Sequence, residues 1–254
     1  MSKKFFRPLI FTAMVILILA LGYQNLDYHW QWYRVWPFLY SFNDGVLTYG
    51  LLLHGLAVTL KLSGLGLVFA LFFGCLSAAG RLSRFPVIRL LAWLYIETIR
   101  NTPLLIQIFF IYFVISPVLG LSAFASALIA LSLFEGAYAS EIIRSGIVNI
   151  PSGQIEAAQS IGLSTRVTYM KIIIPQMLRQ TLPMLAGQSV SLIKDSALVS
   201  TISIYDLTMQ GQRIVSQTFL TFEIWFTVAL CYLIIAGGLS FLIRQFEKRI
   251  NYIQ

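Results

Sequence analysis

The chain has 254 residues, of which 58% are hydrophobic and only 11% charged, and its mean hydropathy is +0.80. A soluble globular domain carries roughly 25% charged residues, so this composition excludes a water-soluble body, and it also excludes intrinsic disorder, which needs low hydrophobicity. A membrane-embedded protein remains, and its net charge of +8 fits basic loops beside anionic lipid headgroups better than nucleic-acid binding.

Six apolar segments dominate the chain, and a spanning helix uses about 20 mainly apolar residues. They lie at about residues 9–22, 51–80, 87–116, 123–143, 177–204 and 222–243. The predicted fold class is therefore all-α and integral to the membrane, with six transmembrane helices: an N-terminal helix and a five-helix core. We divide the chain into an N-terminal signal-anchor helix with an aromatic outer loop, a transmembrane domain and a cytoplasmic tail, at residues 1–50, 51–245 and 246–254.

The first segment allows two interpretations. A basic start at Lys3, Lys4 and Arg7, followed by an apolar stretch and small residues up to Gly22, resembles a signal peptide with a cleavage site. The alternative is a retained signal anchor, which we favour because nothing downstream requires cleavage.

The distribution of basic residues predicts the orientation of the bundle. Most of the 18 lysines and arginines fall on one side of a six-helix arrangement, namely Lys3, Lys4, Arg7, Arg81, Arg84, Arg89, Arg144, Arg166, Lys171, Arg179, Arg244, Lys248 and Arg249. The opposite loops hold chiefly Arg34 and Arg213. Because cytoplasmic loops carry an excess of basic residues, both termini and the loop at residues 149–175 are predicted to be cytoplasmic.

The outer loop before the second segment is rich in aromatic residues: Tyr28, Trp30, Trp32, Tyr33, Trp36 and Tyr40. Their amphipathic rings suit the headgroup layer, so we interpret this loop as lying on the outer membrane interface. An aromatic ligand site is the alternative.

Small residues recur every four positions in the second segment, at Gly66, Ala70, Gly74 and Ala78. This spacing places them on one helical face, where another helix can approach closely. We favour packing within the chain, and contact with a second subunit is the alternative.

The stretch at residues 149–175 is too long for a tight connection and too regular for a flexible one. Pro151 can begin a helix, residues 154–161 are good helix formers, and Gly162 can end the helix with a positive φ. Ser164 can cap a second helix. The sequence therefore predicts two short helices joined by a glycine bend.

The same stretch resembles a known signature: Glu-Ala-Ala, three residues, Gly, nine residues, then Ile-x-Leu-Pro. The matching residues are Glu156, Ala157, Ala158, Gly162, Ile172 and Pro175. This pattern resembles that of the integral-membrane permease subunits of ABC importers, with Ile174 in place of the usual leucine. Further stretches, at residues 97–107, 136–144 and 193–198, are similar to the polar-amino-acid branch of the family, the histidine, glutamine and glutamate type, and the resemblance covers about residues 51–243.

The resemblance implies a permease subunit that moves a polar amino acid inward, with a cytoplasmic helix pair lying in a cleft of a separate ATPase subunit. Glu156 would then meet basic groups on the ATPase or cap the local helix. Ala157 and Ala158 would allow close packing, Gly162 would supply the bend, and Pro175 would fix where the next span begins.

The resemblance also implies partners and a location. The partners are ABC ATPase subunits, a second permease that is identical or a paralogue, membrane lipid, and a periplasmic or lipid-anchored solute-binding protein, but no nucleic acid. The location is the bacterial cytoplasmic (inner) membrane. Because the chain has no Gly-x-x-x-x-Gly-Lys-Ser/Thr motif, we expect it to bind no cofactor itself, with ATP and Mg²⁺ on the ATPase.

Ionisable residues inside predicted spans are functional candidates by default. Glu135 lies in the fourth segment, Lys194 and Asp195 lie in the fifth, and Gln107 in the third offers neutral hydrogen bonds along a candidate substrate path. Glu135 either pairs with Lys194 and joins two spans, or faces the path and meets the ammonium group of an amino acid.

Four other charged residues form two pairs spaced three apart, Glu97 with Arg100 and Glu141 with Arg144. Residues at this spacing can neutralise each other on a helix surface, so we interpret both pairs as structural.

Two further functional classes fit less well. A stand-alone secondary transporter or channel commonly shows internal repeats or broken helices in matched halves, and the sequence shows neither clearly. A membrane enzyme would need a motif such as His-Glu-x-x-His or Gly-x-Ser-x-Gly, and neither occurs. We therefore predict a transporter subunit without catalytic residues or a metal site.

Overall fold

The computed structural model describes Met14, residues 28–43 and residues 46–251, with the backbone alone at residues 42, 43, 46 and 247–251. Apart from Met14, the predicted N-terminal segment at residues 9–22 and its basic tail lie outside the described residues. The side chains of Lys248 and Arg249 also lie outside them.

The described part is mostly helical. Its elements are a 3₁₀ turn (Trp32–Arg34), α1 (Trp36–Leu39), β1 (Tyr40–Asn43), β2 (Val46–Tyr49), α2 (Leu51–Arg81), α3 (Pro86–Arg100), α4 (Leu104–Leu119, with a π turn at Phe110–Ile115), α5 (Ala123–Val148), α6 (Ser152–Ser160), α7 (Thr165–Thr168, a π turn at Tyr169–Ile173, and Ile174–Asp195), a 3₁₀ turn (Ser196–Ile202), α8 (Leu207–Thr218) and α9 (Thr221–Asn251). The two strands form an antiparallel hairpin in which Tyr40 lies opposite Tyr49, a local addition to the helical fold.

Three helices in the described part, α2, α5 and α9, are long and apolar enough to cross a membrane. They confirm the second, fourth and sixth predicted segments. The helical membrane class is therefore confirmed, whereas the count of six spans is not.

The third predicted segment is corrected by the structure. It comprises two helices, α3 and α4, which meet at an angle of 109° and together make a fourth candidate span. The break falls at Asn101, Thr102 and Pro103. Proline lacks a backbone N–H and keeps the preceding residue out of the helical region, so α3 ends before Pro103 and α4 begins after it.

The fifth predicted segment also differs from expectation. Helix α7 ends at Asp195, and the chain continues as the 3₁₀ turn Ser196–Ile202. The helix contains Pro183 and is not among the described helices that are apolar enough to span alone.

The small-residue face of α2 packs inside the chain, as the favoured interpretation predicted. A Cβ atom added to Gly74 would lie 2.8 Å from the Cβ of Ala139 on α5. A Cβ atom added to Gly136 on α5 would lie 3.0 Å from the Cβ of Phe73 and 3.2 Å from the carbonyl oxygen of Ala70. The two glycines therefore allow α2 and α5 to approach almost backbone to backbone.

Helix α5 is central, because α7 packs against its C-terminal half. A Cβ atom on Gly146 would overlap the side chain of Thr181 on α7. The main apolar core joins α2, α4, α5, α7 and the following 3₁₀ turn, and its fully buried members include Leu62, Ile108, Leu131, Leu192 and Val199.

We expect Gly74→Ala to lower the stability of the purified chain by about 1–3 kcal/mol, because the new methyl group collides with Ala139. The control is Gly64→Ala on the same helix, since a Cβ atom there meets nothing within 4 Å. Thermal unfolding in detergent measures both variants. Equal melting temperatures for the two would contradict the close approach of α2 and α5.

Candidate functional site

The glycine bend predicted between two cytoplasmic helices is present at the end of α6. Gly162 has φ +77°. The Leu163 amide donates to the Ala158 carbonyl at 3.0 Å, and the Gly162 amide donates to the Gln159 carbonyl at 2.9 Å. These two bonds form a Schellman motif, which needs a left-handed residue at the position of Gly162.

The second helix is not a separate short element. It begins after Ser164, whose side chain forms no capping hydrogen bond, and continues through a π turn into α7. Pro175 therefore lies at the start of the α-helical part of α7, Ile174–Asp195, directly after the π turn. Proline crowds the carbonyl group four residues before it, and the wider π turn directly upstream accommodates that crowding.

Helix α6 has an outward and an inward face. Glu156 and Ala157 are exposed, and the side chain of Ile161 is 75% exposed at the end of the helix. Ala158 is only 2% exposed. Of the two alanines expected to allow close packing of α6, Ala158 therefore packs within this chain and Ala157 is exposed.

The inward face attaches α6 to the membrane helices. Ile155 packs on a cluster formed by α2, α5, α7 and the link between α5 and α6, whose buried members are Ala78, Ile143, Ile150, Ile173 and Met177. The side-chain amide of Gln176 on α7 donates to the amide oxygen of Gln154 on α6 at 2.5 Å. A force on α6 would therefore act directly on three long helices.

The outward face combines one carboxylate with one apolar side chain. Glu156 is the only acidic residue among residues 149–175. Ile161 was not predicted from the sequence, although an isoleucine directly before the bend glycine is the signal that could have identified it.

The buried acidic residue of α5 has an acidic neighbour. Glu135 is 3% exposed, and its Oε2 atom has no hydrogen-bond partner. The carboxyl group that lies against it belongs to Asp195, a half-buried residue at the end of α7. The structure therefore brings Glu135 and Asp195 together.

Lys194 does not join this pair. Its side chain is exposed, and within the described residues the ion pair is that of Arg144 with Glu141, at 2.9 Å. The hypothesis that a Glu135–Lys194 ion pair joins two spans is therefore wrong in this conformation.

Gln107 lies at the break between α3 and α4. Its Nε2 atom donates to the carbonyl oxygens of Ile99 at 2.8 Å and Thr102 at 3.0 Å, and to the Thr102 hydroxyl at 2.8 Å. Its Oε1 atom is buried without a partner. Gln107 thus satisfies backbone carbonyls that the broken helix leaves free, and it is not hydrogen-bonded to the acidic pair.

The two predicted i,i+3 pairs have different outcomes. Arg144 binds Glu141 through two nitrogens, with Nε 3.0 Å from Oε1 and Nη2 2.9 Å from Oε2. Glu97 instead accepts a hydrogen bond from Asn101 at 2.9 Å, and the Arg100 guanidinium lies 5.3 Å from the ring centroid of Tyr138. The pairing of Glu97 with Arg100 is therefore corrected.

We expect Gly162→Ala to weaken the bend that ends α6, because a left-handed conformation costs an L-residue about 1–2 kcal/mol. Hydrogen exchange of the Gly162 and Leu163 amides should accelerate about 5- to 30-fold. Gly153→Ala is the control, since Gly153 lies on the same helix in open space without a positive φ. Unchanged exchange in Gly162→Ala would contradict the assigned role of this glycine.

Comparisons with known proteins show what this chain is similar to. A family model described as binding-protein-dependent transport system inner membrane component matches residues 66–252. The glutamine transport system permease protein of Escherichia coli strain K12 is 35% identical over 226 residues, which cover 88% of this chain and 99% of that protein. The probable glutamine ABC transporter permease protein of Bacillus subtilis strain 168 is 39% identical over 199 residues, covering 77% and 91% of the two chains.

A solved structure shares the fold as well. The crystal structure of an amino acid ABC transporter with histidines contains a chain that matches with a TM-score of 0.74 and 37% sequence identity, covering 78% of this chain and 94% of that chain. These relatives are transport proteins, which confirms the prediction of a transporter subunit rather than an enzyme. This chain belongs to the family of inner-membrane components of binding-protein-dependent transport systems.

Proposed function

We propose that this chain is the membrane-spanning permease subunit of an ATP-driven importer that carries a polar amino acid into the cell. The observation that carries the proposal is the two-faced helix α6, which exposes Glu156 and Ile161 and is fixed to the membrane helices through Ile155. The names of the relatives, two glutamine permeases and an amino acid transporter, support the substrate class.

The partner at α6 is a separate ABC ATPase subunit, which binds ATP and Mg²⁺. The exposed Ile161 side chain fits an apolar cleft, and the Glu156 carboxylate fits basic groups at its rim, with Ala157 between them leaving room for close approach. Movement of the cleft upon ATP binding is passed through Ile155 to α2, α5 and α7. The bend at Gly162 ends α6 and thereby keeps its outward and inward faces in position.

The other partners complete the transporter. A second permease, either a copy or a paralogue, encloses the path, and a periplasmic or lipid-anchored solute-binding protein delivers substrate to the outer face. The charge distribution supports cytoplasmic termini and a cytoplasmic α6, where the ATPase is located.

The candidate substrate path passes the acidic pair. Two carboxyl groups side by side in a membrane protein are costly without a cation, and the ammonium group of an amino acid supplies one. Asp195 is half-buried and reachable, whereas Glu135 lies deeper. Lys194, exposed one position earlier, offers a cation for the substrate carboxylate, and the unpartnered Oε1 atom of Gln107 offers an acceptor.

We expect Glu156→Lys to lower ATP-dependent uptake about tenfold or more, because a charge-assisted contact to the ATPase is worth about 1.5–3 kcal/mol. Gln159→Lys is the control, because it introduces the same lysine side chain at an exposed position of α6 and keeps the carboxylate. Uptake into vesicles and co-purification of the ATPase are measured at equal amounts of inserted chain. Normal uptake by Glu156→Lys would remove the basis for the coupling role.

We expect Glu135→Gln and Asp195→Asn each to reduce uptake about tenfold or more, because each removes a charge that binds the ammonium group. Neither should lower the melting temperature, since neutralising one member of an acidic pair relieves repulsion. Ser126→Ala is the control on α5, because its hydroxyl bonds only to the Ser122 carbonyl of its own helix, at 3.0 Å. A lower melting temperature with normal uptake in Glu135→Gln would show a structural role instead.

A further inference from the structure

The outer loop is joined to the last membrane helix through one buried carboxylate. Glu223, in the first turn of α9, is 0% exposed. The Tyr28 hydroxyl donates to its Oε2 atom at 2.5 Å, and the Gln31 backbone amide donates to its Oε1 atom at 2.7 Å. Both side-chain oxygens of Glu223 therefore accept hydrogen bonds from residues that precede the region matched by the family model. That region is residues 66–252. We call this arrangement the Glu223 clasp.

Aromatic packing reinforces the clasp. The Tyr28 ring meets Phe222 edge to face with centroids 4.8 Å apart, and Trp30 stacks on Trp32 at 5.9 Å. Both tryptophans also pack on Phe226, one turn further along α9. Tyr28, where the described stretch 28–43 begins, therefore lies at the N-terminal end of α9.

An apolar stripe runs from this point along α9. Phe226, Leu230, Ile234 and Phe241 are each more than half exposed, and a Cβ atom on Gly237 would meet nothing within 4 Å. These positions lie within about 80° of one another around the helix, since each residue advances about 100°. Only 11% of the most apolar part of α9 is buried, against 56% for α5.

The stripe begins with a recess beside the clasp. A cavity of about 430 Å³ is lined by Trp32, Phe226, Thr227 and Leu230. The side chains of a helix that descends from Tyr28 along α9 would fill it.

We propose that the N-terminal segment, residues 9–22, docks antiparallel on this stripe, with the Glu223 clasp fixing its position. The segment contains no ionisable residue, and as a helix it would be about 21 Å long. The stripe from Phe226 to Phe241 extends about 22 Å, a matching length. Gly237 allows close approach of the two helices. The segment is then a retained part of the folded subunit, and the proposal is independent of the substrate and of the ATPase.

The test is cysteine cross-linking of the full chain in membranes, after replacement of Cys75 and Cys231 by serine. Cysteines are placed singly at residues 16–20 and paired with Leu230→Cys. The matched control pairs the same positions with Leu60→Cys, which lies nine positions into α2 as Leu230 lies nine positions into α9, and which is also exposed. A protease site inserted at Asp44–Gly45 separates the two halves, so that an intrachain disulfide is visible on a non-reducing gel.

The proposal predicts disulfides to Leu230→Cys at one helical face of residues 16–20, within one chain, and about tenfold less to Leu60→Cys. Adding Tyr28→Phe should lower the disulfide yield about tenfold, because it removes a hydrogen bond to a carboxylate. Tyr33→Phe should not, because Tyr33 is an exposed tyrosine in the same loop.

Disulfides at no scanned position would mean that lipid covers the stripe or that the segment is removed. Disulfides only between two chains would mean that a second subunit covers it. Either result overturns the proposal.

Discussion

The close approach of α2 and α5 at Gly74 and Gly136 is the contact on which the rest of the structure depends. With almost no side chain between them, the two backbones hold α5 at the centre of the bundle. Glu135, directly before Gly136, is thereby buried among helices rather than exposed to lipid. The C-terminal half of α5 then packs on α7 at Gly146, and its end leads into α6. One tight contact thus sets the positions of the acidic pair and of the exposed face of α6.

The bilayer makes every buried polar group informative, because lipid offers no hydrogen bonds in return. The free carbonyls at the break between α3 and α4 are met by Gln107, and Glu223 is met by Tyr28 and Gln31. The pair of Glu135 and Asp195 differs from these two sites, because its carboxyl groups lie together and no salt bridge within the described residues joins either of them to a cation. We propose that a ligand binds this pair during the transport cycle.

Apolar runs and turn chemistry were sufficient to predict α2, α5, α9 and the bend at Gly162, because span length and positive φ depend on local sequence. The break before Pro103 was missed, since an apolar run looks the same whether its helix is straight or bent. Ala158 points inward because of how α6 is rotated about its own axis relative to the neighbouring helices. The composition of the helix does not reveal this rotation. The neighbour of Glu135 depends on the rotation of α7, and adjacent residues Lys194 and Asp195 point to different sides of that helix.

We propose that this chain transports a polar amino acid only when an ATPase acts on α6. The most direct measurement is uptake of radiolabelled glutamine by vesicles that hold the complete transporter with its solute-binding protein, with and without ATP, and with unlabelled amino acids as competitors. We expect uptake to require both ATP and the ATPase subunit, and unlabelled polar amino acids to reduce it by competition. Uptake of the same amino acid by vesicles that hold this chain alone, without ATP, would contradict it.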